Sequence, residues 1–251
     1  MGITVTDAEL SQFAPEMDAQ EAQDPAKLIA ALNTYPYFVR IVGGAPTEET
    51  RQTEQLISPL VDGREAETTI SRIEINPESQ KEEGSGTRQS RSADAMDAHT
   101  DSSYRPHQHE LLVFQHVRAD ASGGDSVIIA LEDILEHVSD EDVELLEQTK
   151  FRFIKIGAPV LSRIGAARHV RFNITQIKKS NPGLAKHPEF EALLERFVLA
   201  SRDKARRFQF RAQPGETLMI NNLRTLHGRT ALAPDSDRLM MRIRARCKAL
   251  R

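Results

Sequence analysis

Residues 238–247 read RLMMRIRARC, a run that alternates residue by residue. Successive side chains of a strand point to opposite faces. Arg238, Met240, Arg242, Arg244 and Arg246 therefore share one face, and Leu239, Met241, Ile243, Ala245 and Cys247 share the other. The odd-numbered face is core. The even-numbered face reads as solvated at Arg244 and Arg246, whereas Arg238 and Arg242 become candidate ligand-binding groups for a reason that lies upstream.

Further strands precede this one. RFQFRA at 207–212, ETLMINN at 216–222, HVRFNITQI at 169–177, FRFIKI at 151–156 and ELLVFQHV at 110–117 carry the strand signature, as do SVIIA at 126–130 and YFVRIVGG at 37–44. Helices are fewer. DPAKLIAALN offers Asp24 as N-cap with Pro25 at the first helical position, 47–60 reads as a second helix, and LEDIL follows SVIIA as a third. Ser139 caps DEDVELLEQ. Behind Pro188, the residues Phe190, Leu193, Leu194, Phe197 and Val198 recur at helical spacing. Short strands with Gly/Pro turns and few helices predict a mainly β chain, a double-sheet sandwich or jelly roll with helices on one outer face. A parallel α/β fold fits less well, because strands and helices do not alternate regularly and no glycine-rich phosphate loop follows the first strand.

With no internal repeat and no second composition, residues 1–251 are expected to form a single domain. Residues 77–97, PESQKEEGSGTRQSRSADAMD, are polar and glycine/serine-rich and are expected to form a mobile loop. Hydrophobic residues at 39% and charged residues at 28% fit a soluble globular protein. No apolar run approaches the ~20 residues of a membrane span. The N-terminus lacks the layout of a signal peptide, so a cytoplasmic location is expected. The single Cys247 excludes an intramolecular disulfide and a cysteine-based zinc site, so a metal would have to use His and carboxylates. A net charge of -4 gives no overall attraction to nucleic acid or anionic lipid. The basic stretch at 201–211 reads as the cationic end of a helix running into a strand.

AMDAHTDSSYRP, residues 95–106, places His99 two positions before Asp101. On an extended chain both side chains reach one side, a geometry that suits a divalent metal. A third ligand must come from elsewhere, and INNLRTLHGRTAL offers His227 beside Gly228, whose missing side chain permits a close approach. Two histidines and a carboxylate form the facial triad of non-haem Fe(II) oxygenases. Zinc would use the same atoms with tetrahedral closure. Arg238 and Arg242 follow His227 by 11 and 15 residues, near enough to return past the metal and grip a carboxylate with paired, charge-assisted bonds.

Taken together, HTDSSY at His99, GGDS at 123–126, and HGR at His227 followed by the Arg238/Arg242 pair resemble the taurine dioxygenase and clavaminate synthase-like branch of the Fe(II)/2-oxoglutarate-dependent oxygenases. The likeness runs from about Tyr37 to Arg246. It implies a double-stranded β-helix, that is, a jelly-roll core, with His99, Asp101 and His227 holding Fe(II) and with 2-oxoglutarate and O2 as co-substrates. It further implies that Arg242 takes the distal carboxylate of 2-oxoglutarate, that Arg238 lies nearer its iron-bound end, and that Ser126 bonds the co-substrate where relatives often carry Thr. Tyr104 matches a frequent aromatic residue beside the metal motif, and the loop before His99 corresponds to a lid that closes on substrate.

The implied reaction is oxidation, most simply hydroxylation, of a C–H bond in a small amino acid or carboxylate metabolite, with release of succinate and CO2. Arg88, Arg91 and Arg105 flank the metal motif as candidate partners of an anionic substrate. Desaturation or cyclisation remains an alternative outcome, and a non-catalytic jelly roll binding a metal or small acid remains an alternative class. A nucleic-acid demethylase would need a basic groove, which fits poorly with a chain that is acidic overall and does not concentrate its basic residues around the motif. Halogenating relatives lack the carboxylate ligand that Asp101 supplies. His107 and His109 match no ligand of the family and read as structural or substrate-facing. A symmetric homodimer is the default for a soluble enzyme.

Overall fold

A computed structural model of the chain describes residues 14–62, 68–75, 90–203 and 206–251. Its strands are β1 (Glu16–Asp18), β2 (Phe38–Val42), β3 (Thr69–Glu74), β4 (Met96–His99), β5 (Leu111–Arg118), β6 (Ser126–Ala130) and β7 (Phe151–Phe153). They continue with β8 (Ile156–Ala158), β9 (Leu161–Ile164), β10 (Ala167–Val170), β11 (Phe208–Phe210), β12 (Thr217–Asn221), β13 (Thr225–Arg229) and β14 (Leu239–Ala245). The α-helices are α1 (Pro25–Asn33), α2 (Arg51–Ile57), α3 (Leu131–Leu135), α4 (Asp140–Gln148), α5 (Ile174–Ser180) and α6 (Pro188–Ser201).

Two sheets carry the fold. Six strands run in the order β1-β2-β12-β5-β14-β3, and four in the order β11-β6-β13-β4. This is the expected jelly roll. Alternation along β5 shows how the layers form: Leu111 and Val113 turn outward to meet Leu28 and Leu32 of α1 and Ile57 of α2. Leu112 and Phe114 turn inward to pack with Ile128 of β6 and with Phe38. The outer face of the smaller sheet, through Ile129 and Leu226, is covered by the insertion between β6 and β11, chiefly Phe172, Leu193, Leu194 and Phe197. Helices thus cover both outer faces rather than the one expected, because each sheet has an apolar outer face that must leave water.

Local chemistry accounts for the helix starts. Asp24 Oδ1 accepts from the Ala26 N–H at 2.9 Å, and Ser139 Oγ accepts from the Asp142 N–H at 3.2 Å. It also corrects two strands. HVRFNITQI stops being a strand at Val170, and Asn173 Oδ1 takes the Gln176 N–H at 3.0 Å to begin α5. FRFIKI divides into a hairpin at Ile154, whose φ is +56°.

The even-numbered face of β14 needs a larger correction. β14 lies between β5 and β3, with one face toward the outer helices and the other toward the opposite sheet, so neither face is solvated. Arg246 Nε donates to the buried Glu110 at 2.9 Å, and Arg244 points to Asp101. The basic stretch at 201–211 does follow a helix end. Arg202, Arg206 and Arg211 are ion-paired with Asp97, Glu136 and Asp125. Of the loop expected at 77–97, residues 77–89 lie outside the described residues. Its end is tethered: Arg229 donates to the carbonyls of Ser92 and Asp94, and the Leu232 N–H to that of Ala93. Among the described residues no helix is long and apolar enough to cross a membrane.

Candidate functional site

His99 ends β4, and His227 lies in β13 directly across the ladder from it. The two rings sit 4.4 Å apart between centroids. Gly228 makes the approach possible. A Cβ there would stand 2.5 Å from the Met96 carbonyl oxygen and 3.2 Å from the Ala98 nitrogen, so the group that needs the space is the backbone of β4. Asp101 sits in the turn after β4 rather than on the strand, and there its Oδ1 lies 3.6 Å from His99 Nε2 and 3.9 Å from His227 Nε2. One ligand atom from each of the three falls within 4.8 Å of the others.

The turn is built to hold that carboxylate. Asn222, fully buried after β12, accepts the Asp101 N–H at 2.9 Å and donates from Nδ2 to the carbonyls of Asp101 (3.0 Å) and His109 (2.8 Å). Ser102 takes φ +60° and its Oγ meets His109 Nδ1 at 2.6 Å, which makes His109 structural; His107 is exposed. Arg171 donates to the carbonyls of Ser103, Arg105 and Pro106. His99 Nδ1 donates to the Asp97 carbonyl at 3.0 Å, leaving Nε2 as the free donor atom.

Charge follows from these contacts. Burial alone would raise the Asp101 carboxyl, but Arg242, His99 and His227 outweigh it and hold it well below the usual carboxylate range. Burial, reinforced by His99, lowers His227 to about 3. A buried carboxylate facing a neutral imidazole is the protonation state a divalent metal requires. Asp101 Oδ2 and His227 Nδ1 are buried without a hydrogen-bond partner among the described residues, although guanidinium nitrogens stand 3.2 Å (Arg242) and 3.7 Å (Arg244) from Asp101 Oδ2. The donor set therefore fits one metal with nitrogen and oxygen ligands.

A cavity between the sheets opens from His227 past Phe114, Ser126 and Arg242 to His116 and Arg238. The two arginines stand apart along it. Arg242 Nη1 stands at the metal end, 3.2 Å from Asp101, while Arg238 lies beside the glycine turn before Ser126. Gly124, at φ +71°, leaves room for the Arg238 side chain, whose Cδ and Nε would be 3.2 and 3.3 Å from a Cβ. Burial and the nearby Arg229 charge lower Arg238 to about 10, and burial likewise lowers Arg229. Two buried cations in the cavity lining attract an anion.

Tyr104 and Arg91 are exposed but close enough to Arg242 to act on its charge. Arg105 is half-exposed with its carbonyl taken by Arg171, and Arg88 lies outside the described residues. Sequence reasoning gave no role to Asn222, Arg229, His116 or Arg244. The NN pair closing an apolar strand and the arginine of HGR were the available signals for the first two.

A jelly roll that converges two imidazoles and a carboxylate on one buried point, with cationic groups along the adjoining cavity, defines the class of non-haem metal oxygenases. The chain belongs to the taurine catabolism dioxygenase TauD, TfdA family, whose profile matches residues 7–154 and 157–244. This is the family of Fe(II)- and 2-oxoglutarate-dependent dioxygenases that the motifs resemble. No curated protein sequence matches the chain significantly. Solved structures share its fold. A crystal structure of asparagine oxygenase is 17% identical, with 96% of this chain and 88% of that one covered and a TM-score of 0.65. PvcB, an Fe, alpha-ketoglutarate-dependent oxygenase from an isonitrile synthetic pathway, is 18% identical over 91% and 82%, at 0.65; a further PvcB structure, at 0.63, is from Pseudomonas aeruginosa. The oxygenase OrfP, in complex with Fe and alpha-ketoglutaric acid, is 15% identical over 96% and 84%, at 0.61.

Proposed function

We propose that this chain binds Fe(II) through His99, Asp101 and His227 and hydroxylates a C–H bond of a small amino acid or related carboxylate. The observation that carries the reading is the convergence of those three buried ligand atoms within 4.8 Å. Bound there, iron with 2-oxoglutarate and O2 supplies the oxidation, releasing succinate and CO2.

The chain's own residues do the positioning. The Asp97 carbonyl orients His99, and Asn222 fixes Asp101. Arg238, with Ser126, takes the distal carboxylate of 2-oxoglutarate beside the glycine turn, and Arg242 stands at the metal end, the reverse of the assignment expected from sequence. Phe114, Ile128 and Leu218 line the cavity with apolar surface. Tyr104 and Arg91 contact substrate at the exposed side. The amino-acid class is supported by the related folds: asparagine oxygenase has been crystallised with 2S,3S-3-hydroxyasparagine and succinate, and OrfP with (3S)-hydroxy-L-Arg.

The test is an anaerobic titration of the pure chain with Fe(II) and 2-oxoglutarate, followed through the weak visible charge-transfer band, then admission of O2 across a panel of amino acids with succinate measured. The band and substrate-stimulated succinate are expected, and both should vanish in His227→Ala. A band with no succinate for any substrate would favour a binding module instead.

A further inference from the structure

We propose that Arg242 and Arg244 together form a two-cation subsite beside the metal centre that selects a substrate carrying two carboxylates, with Arg244 as the specificity-determining residue. This rests on the reading above and narrows its substrate class. The two arginines are alternate residues of β14, on the face turned toward Asp101, and their side chains are 10% and 13% exposed. Nε of each is buried with no hydrogen-bond partner among the described residues. Arg244 Nη2 donates to Ser71 Oγ of β3 at 3.3 Å, a neutral contact that steadies the guanidinium without supplying counter-charge.

The carboxylate shared by both is Asp101, at 3.2 and 3.7 Å. One anion faces two cations. That imbalance grows in the loaded site, since a divalent ion on Asp101 competes with both guanidinium groups for the same charge. The co-substrate's keto-acid carboxylate offsets one charge of the ion, and its distal carboxylate is matched at Arg238. About two positive charges are then left at the substrate position. Buried, unpaired cations are costly to keep, and a chain retains them where a ligand supplies the counter-charge. A zwitterionic neutral amino acid supplies none in net; a dicarboxylate or a dicarboxylic amino acid does. The guanidinium fork suits bidentate carboxylate binding, so two adjacent forks match two carboxylates better than one.

The experiment uses the full chain with Fe(II) and saturating 2-oxoglutarate under exclusion of O2, so that a diacid cannot occupy the co-substrate site. Calorimetric titration compares L-aspartate with L-asparagine, L-glutamate with L-glutamine, and the simple diacids malonate and glutarate. At least one acid is expected to bind about tenfold or more tighter than its neutral counterpart. Arg244→Gln should weaken that acid by a similar factor, change the amide by less than about threefold, leave 2-oxoglutarate affinity unchanged and not lower the melting temperature. Arg244→Lys, which keeps the charge, should restore part of the preference. Equal binding of acids and amides by the wild type, equal loss of both in Arg244→Gln, or binding of no acid would overturn the inference. If iron and 2-oxoglutarate themselves bind and only the acid preference is missing, the inference falls alone; if they do not bind, the reading beneath it falls too.

Discussion

Asn222 reaches Asp101 through the backbone, not through the carboxylate, and that determines what its loss should do. Its side chain satisfies one buried N–H and two buried carbonyls at the turn that carries the ligand. Asn222→Ala orphans all three, each at a cost of about 1–3 kcal/mol. A supporting contact of this kind tunes metal affinity by about 10–100-fold. Metal titration should therefore show a loss of that order with a lower melting temperature, while the charge-transfer position of whatever complex forms stays the same. Arg238 and Arg242 make a second contrast at this scale. Arg238→Ala should raise the 2-oxoglutarate concentration needed for half-saturation by about tenfold or more, because it removes the charge-assisted pair proposed beside the glycine turn. Arg242→Ala should affect co-substrate less and should leave Asp101 easier to protonate, since its guanidinium is the chief group lowering that carboxyl. Equal effects of both substitutions on 2-oxoglutarate would show that the two arginines are not divided between the ends of the pocket.

The ladder between β4 and β13 sets the spacing of the two imidazoles. Its register slips between His227 and Arg229, and Gly228 sits in that irregularity with the Met96 carbonyl against its Cα. Gly228→Ala should push β4 away, which separates His99 from His227. The expected result is a stability loss of about 1–3 kcal/mol by chemical unfolding, as for overpacked cores, with metal affinity reduced more than the loss of stability explains. Unchanged metal binding in a folded Gly228→Ala chain would show that strand spacing does not govern the site. The same elements show why some of the structure was legible and some was not. β5 and β12 declare themselves as short continuous apolar runs, β14 by its alternation and α6 by its 3.6-residue apolar period. α5 was hidden because Val170, Phe172 and Ile174 alternate like a strand into its first residue, and only the cap at Asn173 separates the readings. The site followed the same division. His99, Asp101 and His227 are rare residue types at telling spacings. The roles of Arg238, Arg242 and Arg244 depend on which end of a strand meets the metal, and on a second sheet closing over their face, neither of which a one-dimensional pattern encodes.

At the scale of the whole molecule, the cavity lies between two sheets whose outer faces are both packed, so groups on the inner faces pay for their burial in protonation behaviour. His116 is the clearest case away from the metal ligands. It lies inside β5, with Nδ1 3.3 Å from the Glu216 carbonyl, and burial together with the Arg238 charge lowers it to about 3. On unfolding its pKa returns to the ordinary value of about 6.5. Below that pH the unfolded chain binds a proton that the folded chain refuses, so stability falls as pH drops from about 6.5 toward 3 and is retained above it. The slope for one such group is about 1.4 kcal/mol per pH unit. Urea unfolding of the metal-free chain between pH 7 and 4.5 stays above the range in which Asp101 and Asp120, both held low, take up protons on folding's reversal. Across that window His116→Gln should flatten the dependence by about one proton's slope relative to the wild type, whereas His107→Gln, an exposed control, should not. Parallel curves for wild type and His116→Gln would mean that the interior admits the charged imidazole, and with it that the cavity is far wetter than two closed sheets allow.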